Sequence, residues 1–328
     1  VAIVDEKTGL VTGISKGNAT ITVTADDFSS TPVFASCNIG VKIVTPITGM
    51  TFTEDKELNQ LGYGQEYQIK YTLDPVDATA SLLTWTSDNP DMISVDKTGK
   101  LKVHTTKAAS AVITASYGPV VQNVTVTVAD GRFWYSLGNG LGNGLDNNWY
   151  LDGNNASVVS SDGNKTTVQM GSGYRGDLWL ARSGKGKIVN VTPADYRYFA
   201  IKVGFKSQLV PGKNKPNGCI KLEIFDDGIK KIGPEYFGTG GDANNRYEIL
   251  GASEISTTEP NVLYYDLQSK YKTVTPTDWN QVFDLSQCKF VIADFPETAQ
   301  TYDLYWIRSF KSIEELQAFV DSENNTNE

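Results

Sequence analysis

The sequence predicts an all-β chain: tandem small β-sandwich modules, the first truncated, then a larger jelly-roll-like β-sandwich with a short C-terminal helix. Three observations predict it. A strand-and-turn pattern recurs within the first 129 residues. Thr and Val alternate with period two through that region, the signature of half-buried strands. From Arg132 onward the chain turns to short strand-like runs between Gly/Asn/Asp-rich turns, and five of its six tryptophans lie there.

The repeat pairs Val4-Asp5-Glu6-Lys7-Thr8-Gly9-Leu10 with Val95-Asp96-Lys97-Thr98-Gly99-Lys100-Leu101. Each is followed by an alternating strand, Ala19–Ala25 in one copy and Ala111–Ala115 in the other, and then by a valine-rich strand, Ile39–Val44 or Val124–Val128. The Asp-x-x-Gly spacing suits a tight turn, where glycine accepts positive φ. The second copy also has an earlier half, residues 47–94, with the runs Ile47–Phe52, Gln65–Leu73 and Leu83–Asp88; the first copy lacks it. The expected division is a C-terminal half-module at 1–46, a complete module at 47–129, a terminal sandwich at 130–320 and a disordered polar tail at 321–328. The true N-terminus is expected upstream of residue 1.

Residues 1–129 resemble the bacterial immunoglobulin-like group 2 repeat. The pattern is carried by the Leu73-Asp74-Pro75 turn, the Thr84-Trp85-Thr86-Ser87 strand, the Val95-Asp96-x-x-Gly99 turn and the closing valine-rich strand. The resemblance implies adhesive or spacer sandwiches of bacterial surface proteins, with Trp85 in the core.

In the terminal region, Ser157–Ser161 and Thr166–Met170 flank an Asp-Gly turn, and strands are expected at Tyr198–Phe205, Ile220–Phe225, Ile229–Ile232, Tyr264–Leu267, Lys289–Ala293 and Leu304–Phe310. Ser312-Ile313-Glu314-Glu315 is a capping box, and Ile313, Leu316, Phe319 and Val320 form the apolar stripe of a helix. Tyr196–Lys202 and Asp303–Glu315 resemble the C-terminal glycan-binding domain of surface lipoproteins from Sus-like polysaccharide-uptake systems. That resemblance implies an outer-membrane, extracellular-facing protein, held by a lipid anchor upstream of residue 1. It also implies a SusC/SusD-like transporter complex as partner.

Composition narrows the function. The formal net charge of −9 argues against nucleic acid and anionic membrane surfaces, which reward Lys and Arg. It suits a neutral polysaccharide. Cys37, Cys219 and Cys288 form no metal or redox spacing, and the last two are read either as a disulfide or as two separate buried thiols. The one histidine, His104, lies on a repeat strand, so the terminal region can build no Ser/His/Asp or Cys/His set. The chain is therefore expected to be no enzyme. No cofactor is expected, although Asp/Asn-rich turns could supply oxygen ligands to a structural calcium ion.

Aromatic rings on a β-scaffold can stack on the apolar face of a sugar, and they carry the expected site. Trp149 and Tyr150 follow the Gly138–Gly144 loop and are expected to be exposed. Trp179 alternates with Leu178 and Leu180. If those two face inward, it points outward on the side of Asp177 and Arg175, with Tyr174 and Arg182 nearby. Tyr236 and Phe237 add rings from a loop. The expected function is non-catalytic capture of polysaccharide, with a surface adhesin that binds a protein partner as the alternative.

Overall fold

The computed structural model describes residues 1–25, 33–142, 149–151, 156–170, 175–181, 189–191, 195–206, 219–226, 230–232, 248–268, 283–293 and 301–325. The chain divides into two compact units. One comprises Val1–Phe52, Lys70–Thr84 and Ser116–Gln122; the other comprises Thr53–Ile69, Trp85–Ala115 and Asn123–Glu328.

The fold is all-β with one C-terminal helix. Residues 1–46 supply β1 (Ala2–Val4), β2 (Val11–Gly13), β3 (Gly17–Ala25) and β4 (Val33–Val41). Residues 47–119 supply β5 (Gly49–Phe52), β6 (Leu61–Tyr63), β7 (Glu66–Gln68), β8 (Tyr71–Asp74), β9 (Thr84–Ser87), β10 (Ile93–Val95), β11 (Lys100–Val103) and β12 (Ala109–Tyr117). β13 (Val120–Ser136) leads into the terminal region. There follow β14 (Tyr150–Leu151), β15 (Ala156–Ser161), β16 (Thr166–Met170), β17 (Arg175–Ala181), β18 (Val189–Val191), β19 (Tyr198–Phe205) and β20 (Cys219–Asp226). β21 (Lys230–Ile232), β22 (Glu248–Ile249), β23 (Asn261–Asp266), β24 (Phe283–Ala293), β25 (Thr301–Phe310) and α1 (Ile313–Asn325) complete the set.

The two copies of the repeat build related Asp–Gly turns, the first one residue longer than the second. Asp5 Oδ1 accepts from the backbone N–H of Lys7 and Thr8, and Gly9 has φ 71°. Asp96 Oδ1 accepts from the N–H of Thr98 and Lys100, and Gly99 has φ 83°. Hydrogen bonds, from the Thr8 backbone in the first turn and the Thr98 hydroxyl in the second, hold both carboxyls below their ordinary value. Trp85 is buried, as its strand position predicts, and its ring lies where a Cβ on Gly99 would fall, 2.6 Å from Cζ2.

β13 spans the boundary expected at residue 130 without a break in strand structure, and Gly131 within it has φ 69°. It neighbours β12 in the ten-stranded sheet, and its C-terminal end pairs antiparallel with β25. β6 runs parallel to it, pairing Leu61 with Val128 and Tyr63 with Phe133 across a register shift. Gly62 and Gly64 make that close approach possible. A Cβ on Gly64, where φ is 77°, would lie 2.0 Å from Tyr135 Cδ2.

The terminal sandwich stacks two sheets. One holds β22, β23, β19, β25 and β13 in that order, with β16 and then β15 attached beside β25. The other holds β14, β17, β24, β20 and β21, with β18 against β24. The core between them takes Phe199, Ile201, Val203 and Phe205 from β19, Leu178 and Leu180 from β17, and Phe290 from β24. Tyr63 of β6 joins this core, with its ring 5.8 Å from Phe133. Cys288 is buried with a free thiol. Its register partner is Ile224, whereas Cys219 lies opposite Ala293. Five residues at about 3.3 Å each separate the two cysteines along the sheet by roughly 16 Å, beyond the reach of a disulfide.

Helix α1 starts where the capping box predicts. Glu315 N–H donates to Ser312 Oγ at 3.1 Å, and Glu315 Oε2 accepts from the Lys311 N–H at 2.7 Å. The helix does not end at residue 320. It continues to Asn325, so the tail expected to be disordered is helical over its first five residues. Glu323 explains the difference: it binds three side chains of the sheet beneath, described below. Among the described residues no helix is long and apolar enough to cross a membrane, which says nothing of β-barrels.

Replacing Gly64 tests the β6–β13 approach. Gly64→Ala combines a left-handed backbone with a clash against a buried ring and is expected to cost about 3 kcal/mol. Gly163→Ala, also at positive φ but with no heavy atom within 4 Å of the new Cβ, is expected to cost about 1–2 kcal/mol. Urea unfolding midpoints at constant m-value check the difference.

Candidate functional site: a cleft on the outer face of the sandwich

The site begins with one extra residue in β25. Along β19 the pairing runs Phe205 with Tyr302, Gly204 with Asp303 and Val203 with Leu304, then Lys202 with Trp306 and Ile201 with Ile307. Tyr305 has no partner in this register and forms a β-bulge. The bulge switches the faces. Before it Tyr302 and Leu304 enter the core; after it Ile307 does, while Trp306 and Phe310 join a second cluster with Ala200, Val262 and Leu316. Tyr305 thus sits half-buried on the outer face beside Trp306. Its carbonyl accepts from the Leu137 N–H at 2.8 Å. Its ring packs over Gly204, with Cε2 at ordinary contact distance, 3.5 Å, from where a Cβ there would fall.

Around Tyr305 opens a cleft of about 920 Å³. Lys202, Val262 and Tyr305 form its floor, and Asn164 stands at one side. A second wall is the segment from Ile249 to Pro260, which includes Ser256 and Glu259. Asn261 fixes that wall. Its Nδ2 donates to the carbonyls of Ser256 and Glu259 at 2.9 and 3.4 Å, and its Oδ1 accepts from the Ser256 N–H at 2.8 Å. The third wall is the C-terminal half of α1, through Gln317, Val320, Asp321, Glu323 and Asn324.

Glu323 ties that wall to the floor. Its Oε2 accepts from Lys202 Nζ at 3.0 Å and Trp306 Nε1 at 3.1 Å, and its Oε1 lies 3.6 Å from Arg308 Nη1. Arg308 is enclosed by rings, with its guanidinium carbon 4.4 Å from the Phe319 centroid, 4.5 Å from Trp134 and 5.2 Å from Trp306. Burial pushes this guanidinium down to about 10, against the pull of Glu323. Lys202 Nζ lies 5.6 Å from the Tyr305 ring centroid, within cation–π range.

Asp303, two residues before Tyr305, is 2% exposed. It accepts from Lys165 Nζ at 2.7 Å and Thr167 Oγ1 at 2.7 Å, and Lys206 Nζ lies at 3.2 Å. Desolvation pushes its carboxyl upward, but the hydrogen bonds from Lys165, Thr167 and Lys206 together outweigh that, and it sits below the ordinary aspartate value.

The aromatic residues expected to be platforms lie elsewhere. Trp149 is 0% exposed and belongs to the sandwich core, its ring 5.6 Å from Phe290. Its carbonyl accepts from the Gly142 N–H at 2.6 Å. Trp179 does alternate with core-facing Leu178 and Leu180, but it is 5% exposed and no open platform. Lys289 Nζ sits 4.3 Å from its ring centroid and donates to Asp177 Oδ2 at 3.2 Å. Tyr150, the register partner of Trp179, is buried as well. The structure thus puts Tyr150, Asp177 and Trp179 on one face of the sheet, with both rings buried and Asp177 partly exposed. Arg175 opens β17; Tyr174, Arg182, Tyr236 and Phe237 lie outside the described residues. Among the described residues no group of three His, Cys, Asp or Glu side chains is placed to hold a metal ion.

The chain is a β-sandwich protein with an N-terminal bacterial Ig-like domain and an open cleft on the outer face of its terminal sheet. The model of the bacterial Ig-like domain (group 2) matches residues 1–34. The chain belongs to the family described as domain of unknown function DUF4979, whose model matches residues 140–316. An uncharacterized protein of Clostridium acetobutylicum is 29% identical over 115 residues; these are 35% of this chain and 11% of that protein. Among solved structures, a protein of Bacteroides thetaiotaomicron described as a candidate glycoside hydrolase aligns at 11% identity. The alignment covers 81% of this chain and 96% of that one, with a TM-score of 0.29. SGBP-B from a complex xyloglucan utilization locus in Bacteroides uniformis aligns at 10% identity over 95% of this chain and 85% of its own, with a TM-score of 0.28. Neither likeness bears on the function of this chain.

The depressed Asp303 carboxyl makes an acid prediction. A group ionised more readily when folded contributes stability above its unfolded value, about 3.9 for Asp, and loses that contribution as pH falls through its folded value. Wild-type melting temperature is therefore expected to drop steeply below about pH 4. Asp303→Asn, less stable by about 2 kcal/mol at pH 7, is expected to show a shallower acid slope. Parallel slopes in the two proteins would remove Asp303 from the account.

Proposed function

We propose that this chain is a non-catalytic, cell-surface polysaccharide-binding protein whose terminal sandwich grips sugar in the Tyr305 cleft. The carrying observation is the half-buried Tyr305 ring, displaced by a bulge onto the floor of a cleft walled by amide, carboxylate and hydroxyl side chains. An aromatic face can stack on sugar C–H groups, and the polar walls offer donors and acceptors at hydroxyl height. Such a mixture of one ring and convergent polar groups is common in ligand sites. The groups at hand suit holding a sugar rather than breaking it. The single histidine belongs to the Ig-like part, with its Nε2 2.8 Å from Ser94 Oγ.

The Ig-like modules act in this reading as spacers, and a lipid anchor upstream would hold the chain on the outer face of the outer membrane. Delivery to a SusC/SusD-like transporter rests on the resemblance carried by Asp303–Glu315.

Native affinity electrophoresis of the full chain in gels containing xyloglucan, galactomannan, mixed-linkage β-glucan or xylan tests the proposal. Retardation by at least one polymer is expected. Tyr305→Ala is expected to lose about 2 kcal/mol of binding, roughly 30-fold, with a melting temperature lower by only a few degrees, and Tyr305→Phe to keep most of the binding and the wild-type melting temperature. Undiminished retardation of Tyr305→Ala would sink the site. Retardation by none of the polymers would favour a surface adhesin with a protein partner.

A further inference from the structure

We infer that Glu57, on the segment before β6, is a positioning residue for the cleft: its charge leaves Glu323 free to hold Lys202 and the last turns of α1 beside Tyr305. The inference rests on the cleft being the glycan site. Glu57 lies in one turn of 3-10 helix, Lys56–Asn59, 75 residues before its partner Arg132. Both belong to the compact unit that holds the terminal sandwich.

A row of charges and rings joins Glu57 to the cleft. Its Oε1 accepts from Arg132 Nη1 at 2.9 Å and from Gln65 Nε2 at 2.7 Å. Arg132 is 3% exposed, so its charge depends on that carboxylate. The Arg132 guanidinium carbon lies 4.2 Å from the Trp134 ring centroid. Gly62 of β6 permits this packing, since a Cβ there would fall 2.9 Å from Trp134 Cβ and 3.0 Å from Arg132 Cγ. Trp134 is in turn the register partner of Arg308, whose guanidinium carbon lies 4.5 Å from the same centroid. Arg308 faces Glu323, Glu323 accepts from Lys202, and Lys202 lies beside the Tyr305 ring.

Along this row three cations share two carboxylates, and two guanidiniums crowd one indole. Burial holds the Arg308 guanidinium below its ordinary value; Arg132 adds to that, while Glu323 and Glu57 oppose it. Without the Glu57 charge, Arg132 is left buried and uncompensated, a strongly destabilising state. Of the row's carboxylates only Glu323 then remains, to offset both guanidiniums as well as Lys202. It is drawn toward the guanidiniums, and its hold on Lys202 and the Trp306 indole loosens. The last turn of α1 carries no basic side chain to suit the negative end of the helix, so it leans on that hold. The helix wall of the cleft shifts when the hold is lost.

The test is calorimetric titration of the full chain with whichever of xyloglucan, galactomannan, mixed-linkage β-glucan or xylan retards it in gels. Glu57→Gln keeps the side chain's shape and drops its charge. It is expected to bind about fivefold more weakly at a temperature well below its melting point. Glu57→Gln/Arg132→Met removes the stranded cation as well and is expected to regain most of the loss. In a Glu323→Gln background Glu57→Gln is expected to cost little more, because the carboxylate that carries its effect is gone. Wild-type affinity in Glu57→Gln overturns the inference. So does a loss that Arg132→Met does not restore, which would assign Glu57 to its contacts with Gln60 and Gln65 alone. Full additivity with Glu323→Gln overturns it too. Each of these results leaves the glycan reading standing, since Tyr305→Ala tests that separately. Should Glu57→Gln fail to fold, recovery of folding and binding in the double variant supports the inference and no recovery overturns it. Binding of no polymer by the wild type overturns the glycan reading and this inference with it.

Discussion

A single extra residue in β25 decides what the outer face of the sandwich can be. A strand that strictly alternates must send Leu304, Trp306 and Arg308 to one side. That would drive a guanidinium into the core and leave Ile307 outside. The bulge at Tyr305 resolves the conflict by shifting the pairing between Lys202 and Val203. Ile307 then fills the core, Trp306 and Phe310 build the seat for α1, and the Tyr305 ring is placed on the floor of an open cleft. The helix, the second cluster and the candidate site all follow from that shift.

Electrostatics then hold the pieces in place. Arg308 is costly to bury, and one carboxylate, Glu323, together with the faces of three rings offsets the loss of water. Because Glu323 also takes Lys202 and the Trp306 indole, the last turns of α1 are pinned to the sheet. Asp303 does the equivalent on the other flank of Tyr305 through Lys165, Thr167 and Lys206. The floor of the cleft is thereby set between two carboxylates, each facing two cationic side chains.

What was legible in the sequence was local. The Asp5 and Asp96 turns, the β15–β16 hairpin and strand Tyr198–Phe205 declare themselves by turn chemistry and period two. The start of α1 declares itself by Ser312 and Glu315. Its end does not, because Asp321–Asn325 is polar and the partners that hold it, Lys202 and Trp306, come from distant strands. The tryptophans mislead for a related reason. Alternation says which face Trp179 occupies, but not whether that face is covered, and a glycine-rich loop before Trp149 says nothing of where the loop is anchored. Tyr305 did leave a trace. Asp303 and Arg308 are both unsuited to the core yet stand five residues apart, an odd spacing that a regular strand cannot place on one face.

The most direct measurement is hydroxyl-radical footprinting of the full chain with and without the polysaccharide that retards it most, read by mass spectrometry at single residues. The cleft account predicts that Tyr305 is oxidised in the free protein and shielded by the sugar, with Pro260 and Val320 following it and Trp149 and Trp179 unchanged. Shielding of Trp179 with Tyr305 unaffected would contradict the account and return the site to the opposite sheet.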